Sequence, residues 1–446
     1  GTQKHIEELV EMFAADAQFL LLRPGGNGQH LLSWAHPGEA LQLIFNLPGD
    51  SDALQEGLQA LAVRRIHFHH IIGLHPLLLE LPARLGVPYD FTLHDYYFCC
   101  PQITLTNYQN RYCGEPDAAG CNRCLAILPA PGGGTIQAWR QRHQPFITQA
   151  DRVLVPCADA ARRLARYFPA AHILLAPHPD LDDQACPAPQ PAPLSGEEPL
   201  RIVVLGALSP IKGADVLEQC ALDARLRGLP LTFELIGYAY RHLRAAPGSA
   251  LNVHGAYDNA DLPALLAEAQ PHLVWFPALW PETYSYTLSA CLHLGLPVAV
   301  PDLGAFPERL AGRAWSWICP WRQPASDWND FFVQIRKRHF APGYSPLASG
   351  GEVSAPDFDY RRDYLKPVFL TVSEDRLMTD TQAAALSRTF AYPRLAGAAQ
   401  QQAALRLKLL DITVRLRRAP LLRRLARAIP LGWQSRVKAW LRGTLP

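Results

Sequence analysis

The chain has 446 residues, of which 49% are hydrophobic, enough to form the buried cores of two domains. Its formal net charge is +2, so the chain as a whole gives no electrostatic signal for nucleic-acid binding. We find no apolar run of the roughly 18–20 residues needed to span a bilayer, and no signal peptide. These features predict a cytoplasmic protein of two domains.

The N-terminal region alternates between helical and strand patterns. It begins with a predicted helix from about Gln3 to Ala15 and a strand around Phe19 to Leu22. Four later segments predict further strands of a parallel α/β sheet with helices between them: 64–74, 81–95, 151–157 and 172–179. The stretch 180–199 is rich in proline and acidic residues and should form a stiff linker. The first domain is therefore predicted to span 1–179.

Histidines stand at the carboxyl ends of two predicted strands. His94 ends one strand, and His69 and His70 end its predicted neighbour. Open α/β sheets place ligand-contacting residues at such ends, so we expect these side chains to line a ligand site, with Asp95 orienting His94 or an acceptor. Metal binding is a second interpretation, but the spacing is that of alternating strand faces and matches no known ligand set.

Five of the ten cysteines lie within residues 99–124. Four of them have the number and the terminal C-x2-C spacing of a tetrahedral structural zinc site. These are Cys100, Cys113, Cys121 and Cys124. Such a site would fix a long loop close to His94. The alternatives are reduced thiols without a metal and, least favoured in a cytoplasmic protein, disulfides.

The second domain, predicted to span 200–342, opens with a strand, a loop and a helix over Arg201 to Ala221. Gly206 lies in the strand, and Lys212 and Gly213 open the helix. This order places one ammonium group at the mouth of a strand–loop–helix unit, where a diphosphate can bind. Many α/β proteins have a lysine after a strand, so Lys212 alone is weak evidence.

A further strand–helix unit gives the strongest single signal in the chain. The apolar run His272 to Pro277 predicts a buried strand, and Glu282 follows it. The next helix should begin with Ser285 or Thr283 as its cap and end at Gly295. The positive end of that helix suits a phosphate, and a carboxylate beside it can accept hydrogen bonds from sugar hydroxyls. The plainer interpretation is an ordinary βαβ unit with an exposed glutamate.

The C-terminal region consists of an extension, 343–402, and a basic tail, 403–446. We expect part of the extension to fold back over the first domain. The tail holds 11 Lys and Arg against one acid, a net charge of +10. Its cations alternate with leucines, and with Trp433 and Trp440, at helical spacing, which favours an interfacial helix on anionic lipid. A helix packed on the protein, or leading to a further domain, is the alternative.

The two units of the second domain together resemble the retaining, nucleotide-sugar-dependent glycosyltransferases of family 4. The family motif G-x-L-x-x-x-K-G is matched by Gly206, Leu208, Lys212 and Gly213. Its E-x7-E motif followed by G-x-P-V is matched in part, by Glu282, Gly295, Pro297 and Val298. The resemblance implies an α/β fold of the GT-B type, with two Rossmann-like domains facing each other across a cleft, and no catalytic metal.

The resemblance also implies roles for residues of this chain. The donor nucleotide sugar would contact Gly206, Lys212, Glu282, Tyr284, Ser285, Tyr286 and Thr287. Glu282 would hold the sugar hydroxyls and His94 would face the donor sugar, which makes these two the predicted catalytic residues. A glycan or lipid-linked acceptor would bind near Asp95, His69 and His70, and the basic tail would place the enzyme on the inner face of the membrane.

Two positions depart from the family pattern. Ala207 stands where the family usually has arginine, and Ala290 stands where it has the glutamate that would hold the ribose. We therefore keep two hypotheses: a retaining glycosyltransferase of polysaccharide or glycoconjugate assembly, or a GT-B module that binds nucleotide or glycan without catalysis. Gly1 would lie inside a loop that follows the first strand in this family, so we expect a longer native polypeptide; a variant start is the alternative.

Overall fold

A computed structural model describes residues 1–26, 28–35, 42–179, 186–244, 250–346 and 354–366. The basic tail, 403–446, and most of the 343–402 extension lie outside the described residues, as does the start of the predicted linker. The chain divides into two compact units. The first consists of Gly1–Glu8, His67–His70 and Tyr89–Pro367, and the described part of the second consists of Leu9–Ile66 and Ile71–Pro88.

Thirteen strands are found in the described part of the chain. They are β1 Leu20–Pro24, β2 Gln29–Trp34, β3 Gln42–Asn46, β4 Ile66–Phe68, β5 Tyr89–Thr92, β6 Arg152–Val155, β7 Ile173–Leu175, β8 Leu200–Leu208, β9 Leu231–Ala239, β10 Leu251–Val253, β11 Leu273–Trp275, β12 Val298–Pro301 and β13 Ser316–Cys319. They form three sheets, in the orders β1-β2-β3, β4-β5-β6-β7 and β10-β9-β8-β11-β12-β13.

Twelve α-helices connect these strands in the described residues. They are α1 Thr2–Met12, α2 Ser51–Ala60, α3 Leu81–Leu85, α4 Ala118–Ile127, α5 Ile136–Thr148, α6 Ala158–Tyr167, α7 Ala214–Leu226, α8 Leu262–Ala269, α9 Tyr286–His293, α10 Phe306–Arg309, α11 Ala325–Ile335 and α12 Tyr360–Asp363. No described helix combines the length and the apolar character that crossing a membrane requires.

The six-stranded sheet of the first unit is parallel throughout. Its central strands are apolar apart from Arg201 near the start of β8, as expected of a sheet covered on both faces. On one face, Trp275 packs against Trp328 and Phe332, with ring centroids 5.0 and 5.1 Å apart. These fully buried aromatic side chains anchor α11 to the sheet.

The four-stranded sheet also belongs largely to the first unit, and β5, β6 and β7 pair in parallel. The predicted segments 64–74, 81–95, 151–157 and 172–179 contain its four strands. The helix predicted after 151–157 is α6, and the strands predicted near Arg201 and His272 are β8 and β11. Two Rossmann-like parallel sheets, each interleaved with helices, confirm the predicted α/β fold.

The second unit contains a sheet that the sequence analysis did not predict in full. Only β1 was expected, but β1, β2 and β3 form an antiparallel meander. The signal was present in β2, where His30, Leu32 and Trp34 alternate with less buried neighbours and have the period of a half-buried strand. Leu32 and Trp34 pack with α2 and α3 into a core of their own.

The described part of the C-terminal extension folds back onto the four-stranded sheet, as predicted. Asp357 and Phe358 donate backbone hydrogen bonds to the Leu175 carbonyl at the end of β7. Arg152 on β6 makes a two-pronged ion pair with the fully buried Asp90 on β5, at 2.9 and 2.5 Å. Its guanidinium also donates to the carbonyls of Asp363, Tyr364 and Lys366. One buried cation therefore joins two strands to the extension.

We predict that Asp90→Ala destabilises the four-stranded sheet by about 3–5 kcal/mol, because the Arg152 guanidinium would remain buried without its counter-ion. Hydrogen exchange should detect this as a hundredfold or greater loss of protection at the amides of β5 and β6. The matched control is Glu80→Ala, which breaks the solvent-exposed pair with Arg84 and should change local protection by less than about 1 kcal/mol. Equal effects of the two variants would contradict the prediction.

Candidate functional site

The loop after β8 places Lys212 at the carboxyl end of the six-stranded sheet. A short 3₁₀ turn, Pro210–Lys212, leads into α7 through Gly213, which has φ +83°. A Cβ atom on Gly213 would overlap the carbonyl group of Pro277, so only glycine allows this approach of the two loops. The Lys212 side chain is 48% exposed and can move toward a ligand.

The loop after β11 places Glu282 beside Lys212. Its backbone is fixed by Gly304, where a Cβ atom would overlap the Glu282 backbone, and by the hydrogen bond from the Ala305 N–H to the Glu282 carbonyl at 2.8 Å. The Trp280 indole N–H donates to Glu282 Oε1 at 3.0 Å. The carboxylate is 13% exposed and is therefore held in one orientation rather than free in solvent.

Lys212 Nζ and Glu282 Oε1 lie 3.9 Å apart. They come from loops that follow β8 and β11, which are neighbours in the sheet and pair in parallel. The carboxyl ends of parallel strands are where open α/β folds bind their ligands. The structure thus brings together the cation and the carboxylate that the sequence analysis singled out 70 positions apart.

Helix α9 begins next to this pair, with Ser285 as its cap, as predicted. Ser285 has φ +78°, and its hydroxyl accepts a hydrogen bond from the Leu288 N–H at 3.4 Å and lies 3.1 Å from the Thr287 hydroxyl. A methyl group on Gly206 would lie 3.6 Å from Thr287, so the end of β8 faces the same turn. The first turn of a helix offers N–H groups and a partial positive charge to an anion.

Arg309, at the end of α10, holds the backbone that leads into α9. Its guanidinium donates to the carbonyls of Tyr284 and Ser285 at 2.8 and 2.9 Å and to the Ser289 hydroxyl at 2.8 Å. It also lies over the Tyr284 ring, 4.0 Å from the centroid. A serine in the left-handed region is strained, and these contacts keep it there. The sequence analysis did not identify this residue.

The same loop contacts the end of the four-stranded sheet. The Thr283 hydroxyl donates to the His94 carbonyl at 2.8 Å, and the Tyr284 hydroxyl donates to the His178 carbonyl at 3.2 Å. His94 follows β5 and His178 follows β7. The two parallel sheets therefore meet through their carboxyl-end loops.

Four histidines form a group at this meeting point. His94 Nε2 lies 3.1 Å from His69 Nδ1, and His5 stacks on His178 with ring centroids 3.9 Å apart. His5 is fully buried, and neither of its ring nitrogens has a hydrogen-bond partner. Ring nitrogens of His5, His69 and His94 all lie within 4.8 Å of one another. Three imidazoles at this spacing are a possible ligand set for a divalent metal.

These histidines are neutral at pH 7. Burial lowers the pKa of His69 to about 3. Burial, followed by the neighbouring histidines, lowers the pKa values of His5 and His94 well below the usual range. His94 can therefore exchange hydrogen bonds with a ligand but does not carry a positive charge there.

Asp95 pairs with His70 and not with the His94 ring. Asp95 Oδ2 lies 3.0 Å from His70 Nε2, and Asp95 Oδ1 accepts a hydrogen bond from the Tyr97 N–H at 2.9 Å. The expectation that Asp95 orients His94 is thus not met, because the His94 ring nitrogen faces His69. The role of Asp95 and His70 toward an acceptor stays a prediction.

All ten cysteines are free thiols in the structure. The candidate zinc ligands among them are half-buried: Cys100, Cys113, Cys121 and Cys124. Burial, and to a smaller extent the other three thiols, raises the pKa of Cys100 to about 12. In the part of the chain that is described, however, no three of these sulfurs lie within 4.8 Å of one another, as the three histidine nitrogens do.

Three residues of the site were missed by the sequence analysis: His5, His178 and Arg309. His178 follows a parallel strand, so the rule that identified His94 also applied to it. His5, Leu9 and Phe13 follow one another at intervals of four residues and are all buried. A histidine at a position where the helical period predicts an apolar side chain was therefore a signal in the sequence. Arg309 gave no signal, since an arginine after a short helix is ordinary.

No protein-family model matches the chain, and no curated protein is similar to it. Solved structures do resemble it. HepE of Anabaena in complex with UDP-glucose is 13% identical, with a TM-score of 0.42 over 66% of this chain and 75% of that one. Sucrose-phosphate synthase of Thermosynechococcus elongatus is 12% identical, with a TM-score of 0.46 over 92% and 94%.

A glycosyltransferase from Rickettsia africae is 11% identical, with a TM-score of 0.40 over 68% of this chain and 73% of that one. Likenesses at these identities and scores do not tell which activity this chain has.

We predict that acid destabilises the chain through its buried histidines. Unfolded histidine titrates near pH 6.5, but a buried one has a lowered pKa, so below pH 6.5 the unfolded chain binds protons that the folded chain does not. Between pH 7 and pH 5, each such histidine should lower the free energy of unfolding by about 2 kcal/mol. His5→Leu should remove one such contribution in denaturant titrations at the two pH values.

The control is His242→Leu, which replaces an exposed histidine and should leave the pH dependence as it is. If His5→Leu and the unmodified chain lose the same free energy between pH 7 and pH 5, His5 is not buried as described.

Proposed function

We propose that the chain is a retaining glycosyltransferase, which moves a sugar from a nucleotide-sugar donor to a glycan or lipid-linked acceptor. The observation that supports this most is the meeting of Lys212, Glu282 and the start of α9 at the carboxyl ends of two adjacent parallel strands. A nucleotide sugar needs a cation or helix terminus for its diphosphate and a hydrogen-bond acceptor for its hydroxyls. This site offers both within one ligand's length.

The diphosphate would bind between Lys212 and the first turn of α9. The ammonium group supplies a full positive charge, and the helix N-terminus adds roughly half a charge. Tyr284 is buried and Tyr286 bonds to Glu8, so these two residues would contribute their backbone rather than their rings. Gly206 leaves space beside Thr287 for the phosphate oxygens.

The sugar would bind between Glu282 and His94. The carboxylate accepts hydrogen bonds from hydroxyl groups, and a neutral imidazole can donate one and accept another. The Thr283 bond to the His94 carbonyl keeps the backbones of these two residues close. Because His94 is uncharged, it would orient the sugar by hydrogen bonds and would not act as an imidazolium.

Transfer with retention follows a front-face course in this proposal. The bond between the anomeric carbon and the diphosphate oxygen breaks, and the electron pair leaves with the diphosphate, whose charge Lys212 and α9 stabilise. The acceptor hydroxyl attacks the same face of the sugar and passes its proton to the departing phosphate oxygen. Asp95, His69 and His70 would line the acceptor side.

Two alanines favour a second candidate, a GT-B module that binds nucleotide or glycan without turnover. Ala207 is exposed at the end of β8 and brings no second cation to the diphosphate. Ala290, in α9, offers the ribose no carboxylate. Lys212 would then be the main charged anchor of the donor.

A donor screen separates the two candidates. Thermal shift with a panel of UDP-, GDP- and ADP-sugars would identify the ligand, since a ligand at 100 times its dissociation constant adds about 2.7 kcal/mol. Release of nucleoside diphosphate with acceptor extracts, and the anomeric configuration of the product by NMR, would then test transfer and retention. If a donor binds but no nucleoside diphosphate is released, the binding module is the candidate that remains. Inversion of the anomeric configuration would contradict the retaining mechanism.

We predict that Lys212→Ala weakens binding of the nucleoside diphosphate by about 10- to 150-fold, because a charge-assisted hydrogen bond contributes roughly 1.5–3 kcal/mol. Isothermal calorimetry measures this directly. Lys337→Ala, which removes an exposed lysine far along the chain, is the matched control and should bind normally. An unchanged affinity in Lys212→Ala would show that the diphosphate lies elsewhere.

Glu282→Gln should have a different effect. The amide keeps the size of the side chain but donates where the carboxylate accepts, so sugar binding and turnover should fall. Affinity for the nucleoside diphosphate, which carries no sugar, should change less than threefold, a free-energy difference of roughly 0.6 kcal/mol. If the variant lost both its diphosphate affinity and its turnover, Glu282 would instead be required for the folding of the loop after β11.

The membrane role of the basic tail remains a proposal from the sequence. Residues 403–446 carry a net charge of +10, which would draw them to anionic headgroups and toward lipid-linked acceptors.

A further inference from the structure

Three of the clustered histidines, His5, His69 and His94, have ring nitrogens close enough to share one ligand. We name these three residues the histidine set. One nitrogen of each lies within 4.8 Å of the other two. In the described residues this is the one group of three His, Cys, Asp or Glu side chains that meets this condition. All three residues belong to the first compact unit, so the geometry of the set does not depend on the second unit.

The fold brings the histidine set together from three elements. Strands β4 and β5 are neighbours in the four-stranded sheet, and His69 and His94 follow their ends by one and two residues. His5 comes from the start of α1. Its ring stacks on His178 with centroids 3.9 Å apart and meets the Tyr360 ring edge-on at 5.3 Å. Packing therefore fixes His5 next to the ends of both strands.

His5 finds no partner for its ring nitrogens within the described residues. The residue is fully buried, and neither Nδ1 nor Nε2 makes a hydrogen bond. A buried polar group without a partner is costly, and in a native protein it calls for an explanation such as a bound ion. One of these nitrogens faces His69 and His94, so the set itself indicates where a ligand would lie.

The other histidines on β4 and after it are already engaged. Both ring nitrogens of His67 lie 2.8 Å from hydroxyl groups, and His70 pairs with Asp95 at 3.0 Å. His69 and His94 instead turn ring nitrogens toward each other. The histidine set is thus distinguished from its neighbours by the contacts of its rings.

The spacing of the set is close to that of a zinc site. Zn–N bonds are about 2.0–2.1 Å long, so two nitrogens of a tetrahedral site lie about 3.3 Å apart. His69 Nδ1 and His94 Nε2 are 3.1 Å apart. The His5 nitrogen, which is at most 4.8 Å away, would have to approach by no more than about 1.5 Å. Rotation of the His5 side chain can supply this movement.

The donor atoms determine the class of ion. Imidazole nitrogens suit zinc, copper, nickel and iron, whereas Mg²⁺ and Ca²⁺ prefer oxygen ligands, and the set contains no carboxylate. Three histidines leave the fourth position of a zinc tetrahedron for water or a ligand. His69 and His94 are partly exposed, so solvent can reach that position.

We propose that His5, His69 and His94 bind one Zn²⁺ ion, with water or a hydroxyl group of a ligand in the fourth position. At present either His69 Nδ1 or His94 Nε2 carries the proton of the hydrogen bond between them. On binding, that proton would move to the other nitrogen of the same ring, so that each imidazole offers a lone pair to the ion. This part of the proposal concerns a metal site alone.

The ion would also act on the candidate functional site through His94. The Thr283 hydroxyl donates to the His94 carbonyl at 2.8 Å, and Glu282 is the residue before Thr283. An ion that fixes His94 therefore fixes one end of the contact that holds the Glu282 loop. His94 bound through Nε2 would keep Nδ1 for a sugar hydroxyl. This second part, in which zinc favours the sugar of a nucleotide sugar, rests on the proposed function.

Elemental analysis tests the site. The full chain, loaded with Zn²⁺ and freed of excess metal by gel filtration, should retain about one zinc per chain. His69→Gln should lose it, and so should His5→Phe, which keeps an aromatic ring against His178. The matched control is His70→Gln, which changes the adjacent histidine, the partner of Asp95, and should keep its zinc. A chain that retains no zinc, or equal zinc in His69→Gln and His70→Gln, would overturn the site.

The thiols are the rival ligands, and a further variant excludes them. Cys121→Ser combined with Cys124→Ser should keep its zinc. Zinc lost in this double variant and kept in His69→Gln would assign the ion to the cysteines and overturn the proposal.

The histidine variants could fail to fold, so a spectroscopic test uses the unchanged chain. Replacing Zn²⁺ by Co²⁺ should give the visible bands of a tetrahedral ion without intense near-ultraviolet bands from thiolates. Intense thiolate bands would reject the proposal. Bound zinc should also remain in a large excess of Mg²⁺, and its displacement by Mg²⁺ would show a site of oxygen ligands instead.

The link to the candidate functional site is tested by calorimetry with and without zinc. Zinc should tighten binding of the UDP-, GDP- or ADP-sugar found in the donor screen by roughly 5- to 150-fold, the usual range of coupling between two sites. Binding of the corresponding nucleoside diphosphate should change less than about threefold. A zinc-loaded chain that binds no sugar of the panel would retain the metal site and reject the proposed function. A nucleotide sugar bound equally well without zinc would reject the link.

Discussion

The site depends on how the segment 279–285 is fixed between the two parallel sheets. Gly304 admits the Glu282 backbone where no other residue could, and Arg309 binds the carbonyls of Tyr284 and Ser285. From this fixed segment Thr283 reaches the His94 carbonyl. One loop thus sets the start of α9, the position of the carboxylate and the contact with the other sheet.

Much of this could be read from the sequence because it is local. Apolar runs fixed the strands β5, β6, β8 and β11, and the Ser285 cap follows from the preference of serine for that position. The meeting of Lys212 and Glu282 followed from the rule that parallel strands end on one edge. Each of these inferences uses only a segment and its period, which neighbours in space do not change.

The remainder depends on contacts between distant residues, which a single sequence does not encode in any pattern. Arg309 acts through carbonyls 24 and 25 residues away, and any arginine after a helix would look the same. The alternation of more and less buried positions in β2 could be recognised in the sequence but was short, and nothing in it indicated an antiparallel partner. The pairing of Asp95 with His70 depends on how the loops after β4 and β5 meet in space.

The charges of the site lead to a last point about how it would work. Lys212 Nζ lies 3.9 Å from Glu282 Oε1, and this pair is partly exposed, so it holds the lysine only weakly. Under the proposed function, an arriving diphosphate would draw Lys212 away and free Glu282 for the sugar hydroxyls, so that donor binding would prepare both residues at once. Yet one ammonium group and half a helix charge do not balance the charge of a diphosphate, and Ala207 supplies no further cation. The step that would need this missing positive charge most is the departure of the diphosphate from the sugar. Under the proposed function, these residues would therefore favour recognition of a donor more strongly than fast transfer, and turnover is the property on which the two candidate functions differ.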